Sequence, residues 1–148
     1  MDETVFSVVI PAHNEEHYIG NCLQSVVRAA ELVKPDAVEI IVVANRCTDR
    51  TAEIAGEFGA RVLTNDEKCI SAIRNTGIRA ANGGIIVTLD ADSVMSEQSL
   101  REIRRMLESG AYIGGGTRDE IRHAEAFAHR DVEPQVRPVR RLVSHPEP

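Results

Sequence analysis

The spacing of apolar residues changes several times between residues 5 and 118 of this chain. Val5 to Ile10 is a nearly continuous, β-branched run, which is typical of a strand buried on both faces. Between residues 17 and 33 the apolar residues recur every three or four positions, as Ile19, Leu23 and Val26 do, which places them on one face of a helix. The chain therefore opens with a predicted strand followed by a predicted amphipathic helix.

The same alternation continues along the rest of this region. Further strands are predicted at residues 38–44, 60–64, 85–89 and 111–116, and further helices at 51–58, at 70–81 and after residue 96. We expect Ser96 to cap the last helix and Thr48 or Asp49 to cap the helix at 51, because their side-chain oxygens can accept a free backbone N–H. Strands that alternate with helices form a parallel sheet covered by helices. The predicted fold is therefore α/β, with a mostly parallel, Rossmann-like sheet.

The composition and the apolar periodicity of the sequence change after Arg118. Residues 119–148 contain four of the six prolines and three of the five histidines, but no glycine and no sustained period. Such a segment buries too little apolar surface to offset the entropy lost on ordering. We expect a domain at 1–118 with an incomplete fold, and a divergent, irregular and poorly ordered tail at 119–148 with at most a short helix at 119–129.

Composition excludes some classes of function. The net charge of −6 argues against a nucleic-acid partner, which would select a basic face. No apolar run approaches the roughly 18 residues of a membrane span, and the acidic N-terminus is unlike a signal peptide. The three cysteines form no C-x-x-C pair, which is typical of reduced thiols. We expect a cytoplasmic protein without a transmembrane segment, peripheral to the membrane at most.

Polar residues follow three of the predicted strands. "PAHNE" begins at Pro11, "NRCTD" begins at Asn45 and "DADS" begins at Asp90, each directly after an apolar run. In parallel α/β sheets the ligand lies outside the carboxyl ends of the strands. We therefore expect these three segments to meet at one ligand-binding crevice.

Asp90 and Asp92 carry the most specific chemistry. On an extended chain, side chains two residues apart point the same way, about 6.5–7 Å apart. Carboxylates suit Mg²⁺ or Mn²⁺, and two of them leave coordination positions open for a diphosphate; one could instead accept hydrogen bonds from ribose hydroxyls. A bare D-x-D is also common in solvated turns and helix caps, so the metal site is favoured by its position after a buried strand and opposite two other polar strand ends.

The chain resembles the family 2 glycosyltransferases of the GT-A type. The resemblance is carried by "SVVIPAHNEEHYIGNCLQSV" from residue 7, "EIIVVANRCTDRTAEIA" from residue 39, "AIRNTGIRAANGGIIVTLDADS" from residue 72 and "YIGGGTR" from residue 112. It covers about residues 1–118. The resemblance implies transfer of a sugar from a nucleoside-diphosphate donor to an acceptor hydroxyl, with Mn²⁺ or Mg²⁺ as cofactor.

The resemblance also implies roles for individual residues in donor binding. Pro11 and Ala12 would line the nucleotide base, and Glu15, with Asn14, would brace that loop. Arg74 would lie beside the base or the diphosphate, where a planar guanidinium suits either. Asp90 would bind the ribose, and Asp92 the metal ion. The residues to which the resemblance gives a role in this paragraph are Pro11, Ala12, Asn14, Glu15, Arg74, Asp90 and Asp92.

Two departures from the family pattern affect this interpretation. The loop after the second strand has Ala44 and Asn45 where the pattern has an acidic pair, although Asn45 can still offer donors and acceptors to a base edge. The family's later half, which carries the acceptor site and the catalytic base, has no counterpart after Arg118, so no base is named here. A truncated gene or a shifted reading frame is our hypothesis for this break, and DNA downstream with no frame resembling the missing half would refute it.

Two other functions remain open at this stage. The chain can be a non-catalytic nucleotide-sugar-binding remnant, in which case the incomplete sheet would expose apolar surface for an oligomer to cover. A D-x-D phosphatase is a weaker alternative, because that chemistry places its nucleophilic aspartate after the first strand. Here the pair follows the fourth predicted strand, and both lysines, Lys34 and Lys68, precede it.

Overall fold

The structure is a computed structural model that describes residues 4–117 and 136–140. The chain divides into two compact units, Met1–Glu97 and Gln98–Pro148. The first unit alternates strands and helices as the sequence predicts, and each element lies within a few residues of its predicted position. Its elements are β1 (Thr4–Ala12), α1 (Ile19–Glu31), β2 (Ala37–Ala44), α2 (Thr51–Glu57), β3 (Arg61–Thr64), α3 (Ile70–Ala80) and β4 (Ile85–Thr88).

The four strands of the first unit form one parallel sheet in the order β3-β2-β1-β4. The chain moves outward from β1 to β3 and then returns to the far side of β1. Because parallel crossovers are right-handed, α1 and α2 cover one face of the sheet and α3 covers the other. The order therefore reverses between β1 and β4, and a reversal of this kind is where α/β sheets bind ligands.

The core is aliphatic and centres on β1 and β2. Val9, Ile41 and Val43 are fully buried and pack with Ile73 of α3, while α1 buries the stripe that its spacing predicts. Burying an aliphatic side chain of this size contributes about 1.5–3 kcal/mol relative to leaving it exposed. The parallel sheet and its helices are thus held by the apolar periodicity read from the sequence.

Gly77 brings α3 close to the sheet. A Cβ atom at this position would lie 2.4 Å from Val9 Cγ1 and 3.1 Å from Val43 Cγ2. The sequence marks Gly77 as a weak point in a helix, since glycine lowers helix propensity. In the structure it has a packing role, because only a residue without a side chain allows this helix–sheet distance.

A polar cluster lies where the strands begin, and we refer to Ser7, Glu39, Asn82 and Gly83 as the amino-end cluster. The Ser7 hydroxyl donates to Glu39 Oε1 and accepts the Gly83 N–H at 2.8 Å. The Asn82 N–H also donates to Glu39 Oε1, and Asn82 Nδ2 donates to Oε2 at 3.1 Å. The cluster therefore joins β1, β2 and the turn that enters β4.

The second unit contains α4 (Ser99–Glu108) and strands β5 (Tyr112–Thr117) and β6 (Val136–Arg140). The expected Ser96 cap is wrong: the residue preceding α4 is Gln98, which makes no side-chain cap hydrogen bond. The predicted fifth strand exists, but it pairs antiparallel with β6 in a separate two-stranded sheet. β6 lies in the region predicted to be an irregular tail, whereas the helix predicted at 119–129 lies outside the described residues.

Candidate functional site

The loops after β1, β2 and β4 meet with the first turns of α3 around one cleft of about 270 Å³. Because these loops follow parallel strands, they leave the sheet at the same edge, as the sequence analysis expects. Of the eight residues given a role from the sequence, six line the cleft, Asn14 holds the loop beside it and Arg74 contacts Asp90. The lining residues are Pro11, Ala12, His13, Glu15, Asn45, Ile70, Ile73, Asp90, Ala91 and Asp92.

The loop after β1 is braced by the loop after β2. Asn14 has a left-handed backbone with φ of 49°, and its Oδ1 accepts the Thr48 N–H at 2.8 Å. The Glu15 N–H donates to the hydroxyl of Thr51 at 2.8 Å. The backbone of Glu15 thus fixes the loop, while its carboxylate makes no hydrogen bond or ion pair with any residue that the structure describes.

Asp49 connects these loops and caps α2. Its Oδ1 accepts the Thr51 N–H at 3.0 Å, and its Oδ2 accepts the Glu16 N–H at 3.1 Å. Burial acts to raise the pKa of Asp49, but the hydrogen bonds from Thr51 and Glu16 outweigh it and lower the pKa. Asp49 therefore makes the predicted hydrogen bond to a free N–H at the start of α2, although Arg50 is the residue at the N-cap position. The Thr48 hydroxyl contacts Asn14 instead, donating to its Oδ1 at 3.4 Å.

Asp90 and Asp92 lie on a turn and not on an extended chain. β4 ends at Thr88, and the Ser93 N–H donates to the Asp90 carbonyl at 3.0 Å, which closes a four-residue turn. Ala91, between the two aspartates, is 4% exposed, while both carboxylates are exposed. The expected extended geometry is therefore wrong, but burial of Ala91 still leaves both aspartates at the cleft.

Arg74 reaches the cleft through Asp90. Its Nη2 donates to Asp90 Oδ1 at 2.8 Å, with side-chain exposures of 38% for Arg74 and 59% for Asp90. An exposed pair of this kind contributes at most about 1 kcal/mol to stability, so its main effect is to orient the two groups. The Nε of Arg74 is buried and has no acceptor among the described residues, which leaves one donor unused beside the cleft.

Asn45 is buried, with 3% of its surface exposed. Its Nδ2 donates to the carbonyl oxygens of Asn65 at 2.6 Å and Glu67 at 2.7 Å. Both amide hydrogens are therefore used within the protein, and only Oδ1 remains as an acceptor, with Arg46 Nε at 3.3 Å. Of the donors and acceptors that the sequence offers to a base, the structure leaves the acceptor.

His13 is a cleft residue that the sequence analysis does not select. Its Nδ1 lies 2.6 Å from the Asn45 carbonyl oxygen, so Nδ1 carries the proton and Nε2 is left without that bond. The signal was present in the sequence, because His13 stands between Ala12 and Asn14 in the polar segment after β1. Because His13 lies at a strand end and lines the same cleft as Asp90 and Asp92, it is a candidate contact for an anionic ligand.

Unpartnered negative charge is concentrated in the cleft. Burial, followed by the charges of Asp92 and Asp49, raises the pKa of Glu15, and His13 opposes the shift. The carboxylate of Asp92 makes no hydrogen bond or ion pair within the described part of the chain. A divalent cation would relieve this repulsion, so the carboxylates of Asp92 and Glu15 suit such an ion.

The described residues do not supply a complete metal site on their own. Among residues 4–117, no group of three or more His, Cys, Asp or Glu side chains is arranged to hold a metal ion. Mg²⁺ and Mn²⁺ often complete their coordination with water and substrate phosphates. The donor set therefore fits an ion shared with a diphosphate better than a permanently bound one.

None of the described helices has the length and apolar character needed to cross a bilayer. The three cysteines are free thiols, as their spacing predicts.

Comparisons with known proteins agree with this architecture. The family model described as glycosyl transferase family 2 matches residues 7–144, a range that includes most of the region set apart as a tail. Glycosyltransferase AglE of Haloferax volcanii is 35% identical over 117 residues, which are 74% of this chain and 38% of AglE. This chain thus spans well under half the length of that relative.

Two solved structures show the same fold. S. aureus TarS 1–349 in complex with UDP-GlcNAc has a TM-score of 0.60 and 22% identity, covering 72% of this chain and 32% of TarS. Glucosyl-3-phosphoglycerate synthase from Mycobacterium tuberculosis, in complex with Mn²⁺, UDP and glucosyl-3-phosphoglycerate, has a TM-score of 0.53 and 28% identity, covering 70% of this chain and 39% of the synthase. With the family match across most of its length, the chain belongs to the family 2 glycosyltransferases and has their GT-A fold.

Proposed function

We propose that this chain binds a nucleoside-diphosphate sugar, together with Mn²⁺ or Mg²⁺, in the cleft at the carboxyl edge of the sheet. The observation that carries the proposal is the convergence of Glu15, Asp90 and Asp92 from two separate strand ends on one cleft, with two of the three carboxylates lacking a partner among the described residues. The synthase that shares the fold at 28% identity was crystallised with UDP and Mn²⁺. The activity that follows is transfer of the sugar to an acceptor hydroxyl.

In this proposal each cleft residue has a distinct task. Asp92 binds the divalent ion. The negative charge of Glu15, which interacts with that of Asp92, is also stabilised by the positive charge of the ion. Asp90, oriented by Arg74, accepts hydrogen bonds from the ribose hydroxyls. The exposed part of the Arg74 guanidinium can donate to a phosphate oxygen.

The base lies against the loop after β1 in this proposal. Pro11 and Ala12 are buried and form one wall, and Asn45 presents Oδ1 at the end of β2. An acceptor at this position can receive a hydrogen bond from a ring N–H or from an exocyclic amino group of the base. A cleft of about 270 Å³ is at or below the range of roughly 300–1,000 Å³ usual for small-molecule sites, so we expect it to hold only part of the donor.

A divalent ion bound here would act as a Lewis acid that offsets the charge developing on the diphosphate leaving group. The residues of this chain bind and orient the donor, and Arg74 adds a fixed positive charge beside it. We assign residues 1–118 to donor binding and leave the catalytic base unassigned. Inversion at the sugar carbon is expected from the family resemblance.

A second candidate function is donor binding without transfer. The cleft supports it directly, because every cleft residue with an assigned task acts on the donor or its ion and none is assigned to an acceptor. The two candidates share the same cleft and differ only in whether an acceptor is glycosylated.

Calorimetric titration of the chain with UDP, with and without Mn²⁺, tests the shared part of both proposals. We expect binding that strengthens when Mn²⁺ is present. Release of UDP from a UDP-sugar in the presence of candidate acceptors then separates transfer from binding alone. Absence of UDP binding by a folded sample in Mn²⁺ would refute both.

A further inference from the structure

Helix α1 makes hydrogen bonds to the segment that carries Asp90 and Asp92. Cys22 and Ser25 lie three residues apart, so they share one face of the helix, and both are buried, at 0% and 5% exposure. Each makes one hydrogen bond to the segment after β4. Neither residue lines the cleft described above.

The directions of these hydrogen bonds are fixed by chemistry. The Met95 N–H donates to Ser25 Oγ at 2.9 Å, so the hydroxyl hydrogen is free to donate to the Cys22 carbonyl, 2.6 Å away. The Cys22 thiol donates to the Asp90 carbonyl at 3.5 Å. Burial, followed by the charges of Asp92 and Asp90, raises the pKa of the Cys22 thiol to about 12, so it remains a donor.

These contacts attach the segment at both ends. The Asp90 carbonyl is held by Cys22 and the Met95 N–H by Ser25, while the side chains of Ala91 and Met95 are buried. Asp92 lies between the attached points, and its carboxylate makes no hydrogen bond or ion pair with the described residues. Its position is therefore set by the backbone on either side.

We propose that Ser25 is a positioning residue for the divalent-cation site, acting through the Met95 N–H on the backbone that carries Asp92. The inference rests on the proposed function, because it assumes that Asp92 holds the ion. Ser25 touches neither donor nor metal. Partners that orient a metal ligand indirectly typically change metal affinity by about 10–100-fold when they are removed.

Ser7 provides a matched control at the other end of the sheet. It is also a buried serine whose hydroxyl accepts a backbone N–H, that of Gly83 at 2.8 Å, and it lies outside the cleft. Ser25→Ala and Ser7→Ala therefore remove the same kind of hydrogen bond. They differ in whether the released backbone leads to Asp92, and in the acceptor that loses the hydroxyl, which is Glu39 for Ser7 and the Cys22 carbonyl for Ser25.

The test is calorimetric titration of the wild-type chain and both variants with UDP, with and without Mn²⁺. We expect Ser25→Ala to weaken Mn²⁺-dependent UDP binding by about tenfold or more, and to leave metal-free UDP binding close to wild type. Ser7→Ala should lower the melting temperature without changing either affinity. Equal affinities for the two variants in Mn²⁺, or an equal loss for Ser25→Ala with and without the metal, would overturn the proposal.

Hydrogen exchange on the wild-type chain tests the inference without a substitution. The Met95 amide should exchange slowly before any ligand is added, because Ser25 already holds it. Fast exchange of Met95 in the folded chain would overturn the positioning role. Slow exchange of Met95 in a chain that fails to bind UDP would instead refute the proposed function and leave the attachment of this segment intact.

Discussion

The two ends of the parallel sheet use the same kinds of side chain in opposite ways. In the amino-end cluster, Glu39 accepts hydrogen bonds from Ser7 and from both nitrogens of Asn82. In the carboxyl-end cleft, Glu15 and Asp92 make no such bonds with described residues. A carboxylate whose partners lie within the protein stabilises the fold, whereas one without partners is available to a ligand.

A larger cleft, about 420 Å³, lies near the amino ends and is lined by residues of α1, of β2, including Glu39, and of the segment from Phe58 to Arg61. Size alone would place a ligand there. We favour the smaller cleft because three strand ends converge on it and its carboxylates lack partners. Substitutions can test this contrast between an end whose carboxylate has partners within the protein and an end whose carboxylates lack them.

The largest effect is expected at Asp92. Asp92→Asn removes the charge of the proposed metal ligand, so Mn²⁺-dependent UDP binding should fall by more than about 100-fold, beyond the range for residues that act indirectly. Stability should not fall, because the change relieves the repulsion between Asp92 and Glu15. Calorimetry and thermal melts measure the two quantities.

Glu39→Gln is the matched control for this prediction. It also neutralises one carboxylate, but in the amino-end cluster, and should lower stability while leaving UDP binding unchanged. The contrast between the two ends fails if both variants change the same quantity.

The next largest effect is expected at Gly83. A Cβ atom there would lie 2.7 Å from the Phe6 carbonyl carbon and 2.7 Å from Ser7 Oγ, and backbone atoms cannot move aside. Overpacking usually lowers the free energy of unfolding by about 1–3 kcal/mol, and we expect the loss for Gly83→Ala to lie near the upper end of this range. Urea unfolding measures the loss.

Gly84→Ala serves as the neighbouring control, since a Cβ at Gly84 meets nothing within 4 Å. Its unfolding midpoint should stay near that of the wild type. Similar losses for the two variants would mean that the entry to β4 is sensitive to any alanine, and not to the contact with Ser7.

A smaller effect is expected at Asn45. Asn45→Asp would set a carboxylate oxygen against the carbonyls of Asn65 and Glu67, which now accept from Nδ2. We expect a loss of about 1–2 kcal/mol in the free energy of unfolding, since two acceptors lose their donor. Asn75→Asp, on the exposed side of α3, is the control, and equal stability of the two variants would contradict this role for Asn45.

The smallest effect concerns pH. Burial acts to raise the pKa of Glu39, but hydrogen bonds from Ser7 and Asn82 outweigh it, so the net pKa is lowered. A lowered pKa in the folded state adds stability above the unfolded pKa of about 4.3, and this contribution is lost as the pH falls through the folded pKa.

Urea unfolding of the wild type and Glu39→Gln between pH 7 and about pH 3 measures this effect. The wild type should be more stable at neutral pH by about 1 kcal/mol, and the difference should shrink below about pH 4.5. A difference that stays constant across this range would show that the charge of Glu39 is not involved.

The sequence was sufficient to predict the elements of the first unit and the edge of the sheet at which the candidate cleft lies, but not β6. Apolar spacing identified α1 and β1, and the order of elements predicted a parallel sheet with its polar strand ends together. It did not predict the turn at Asp90, because strand periodicity does not reveal where a strand ends. It also did not show that β5 would pair with β6, since the spacing within a strand does not specify its partner.

The long-range hydrogen bonds were the least predictable part. Glu39 stands out as one charge within the apolar run Val38–Ala44, and Ser25 as one hydroxyl beside the apolar stripe of α1. Both positions signalled that a buried polar group needs a partner. The partners, Ser7 and Met95, lie 32 and 70 residues away in the chain, and only the folded topology identifies them.

Gly77 has an effect that extends beyond packing. Arg74 precedes it by three residues on the same helix, and its guanidinium meets Asp90 only at the present separation between α3 and the sheet. A single added methyl group would push the helix outward and draw the cation away from its aspartate. The reach of Arg74 toward the cleft thus depends on the absence of a side chain at Gly77, and Gly77→Ala should disturb the Arg74–Asp90 pair as well as the packing of α3 on the sheet.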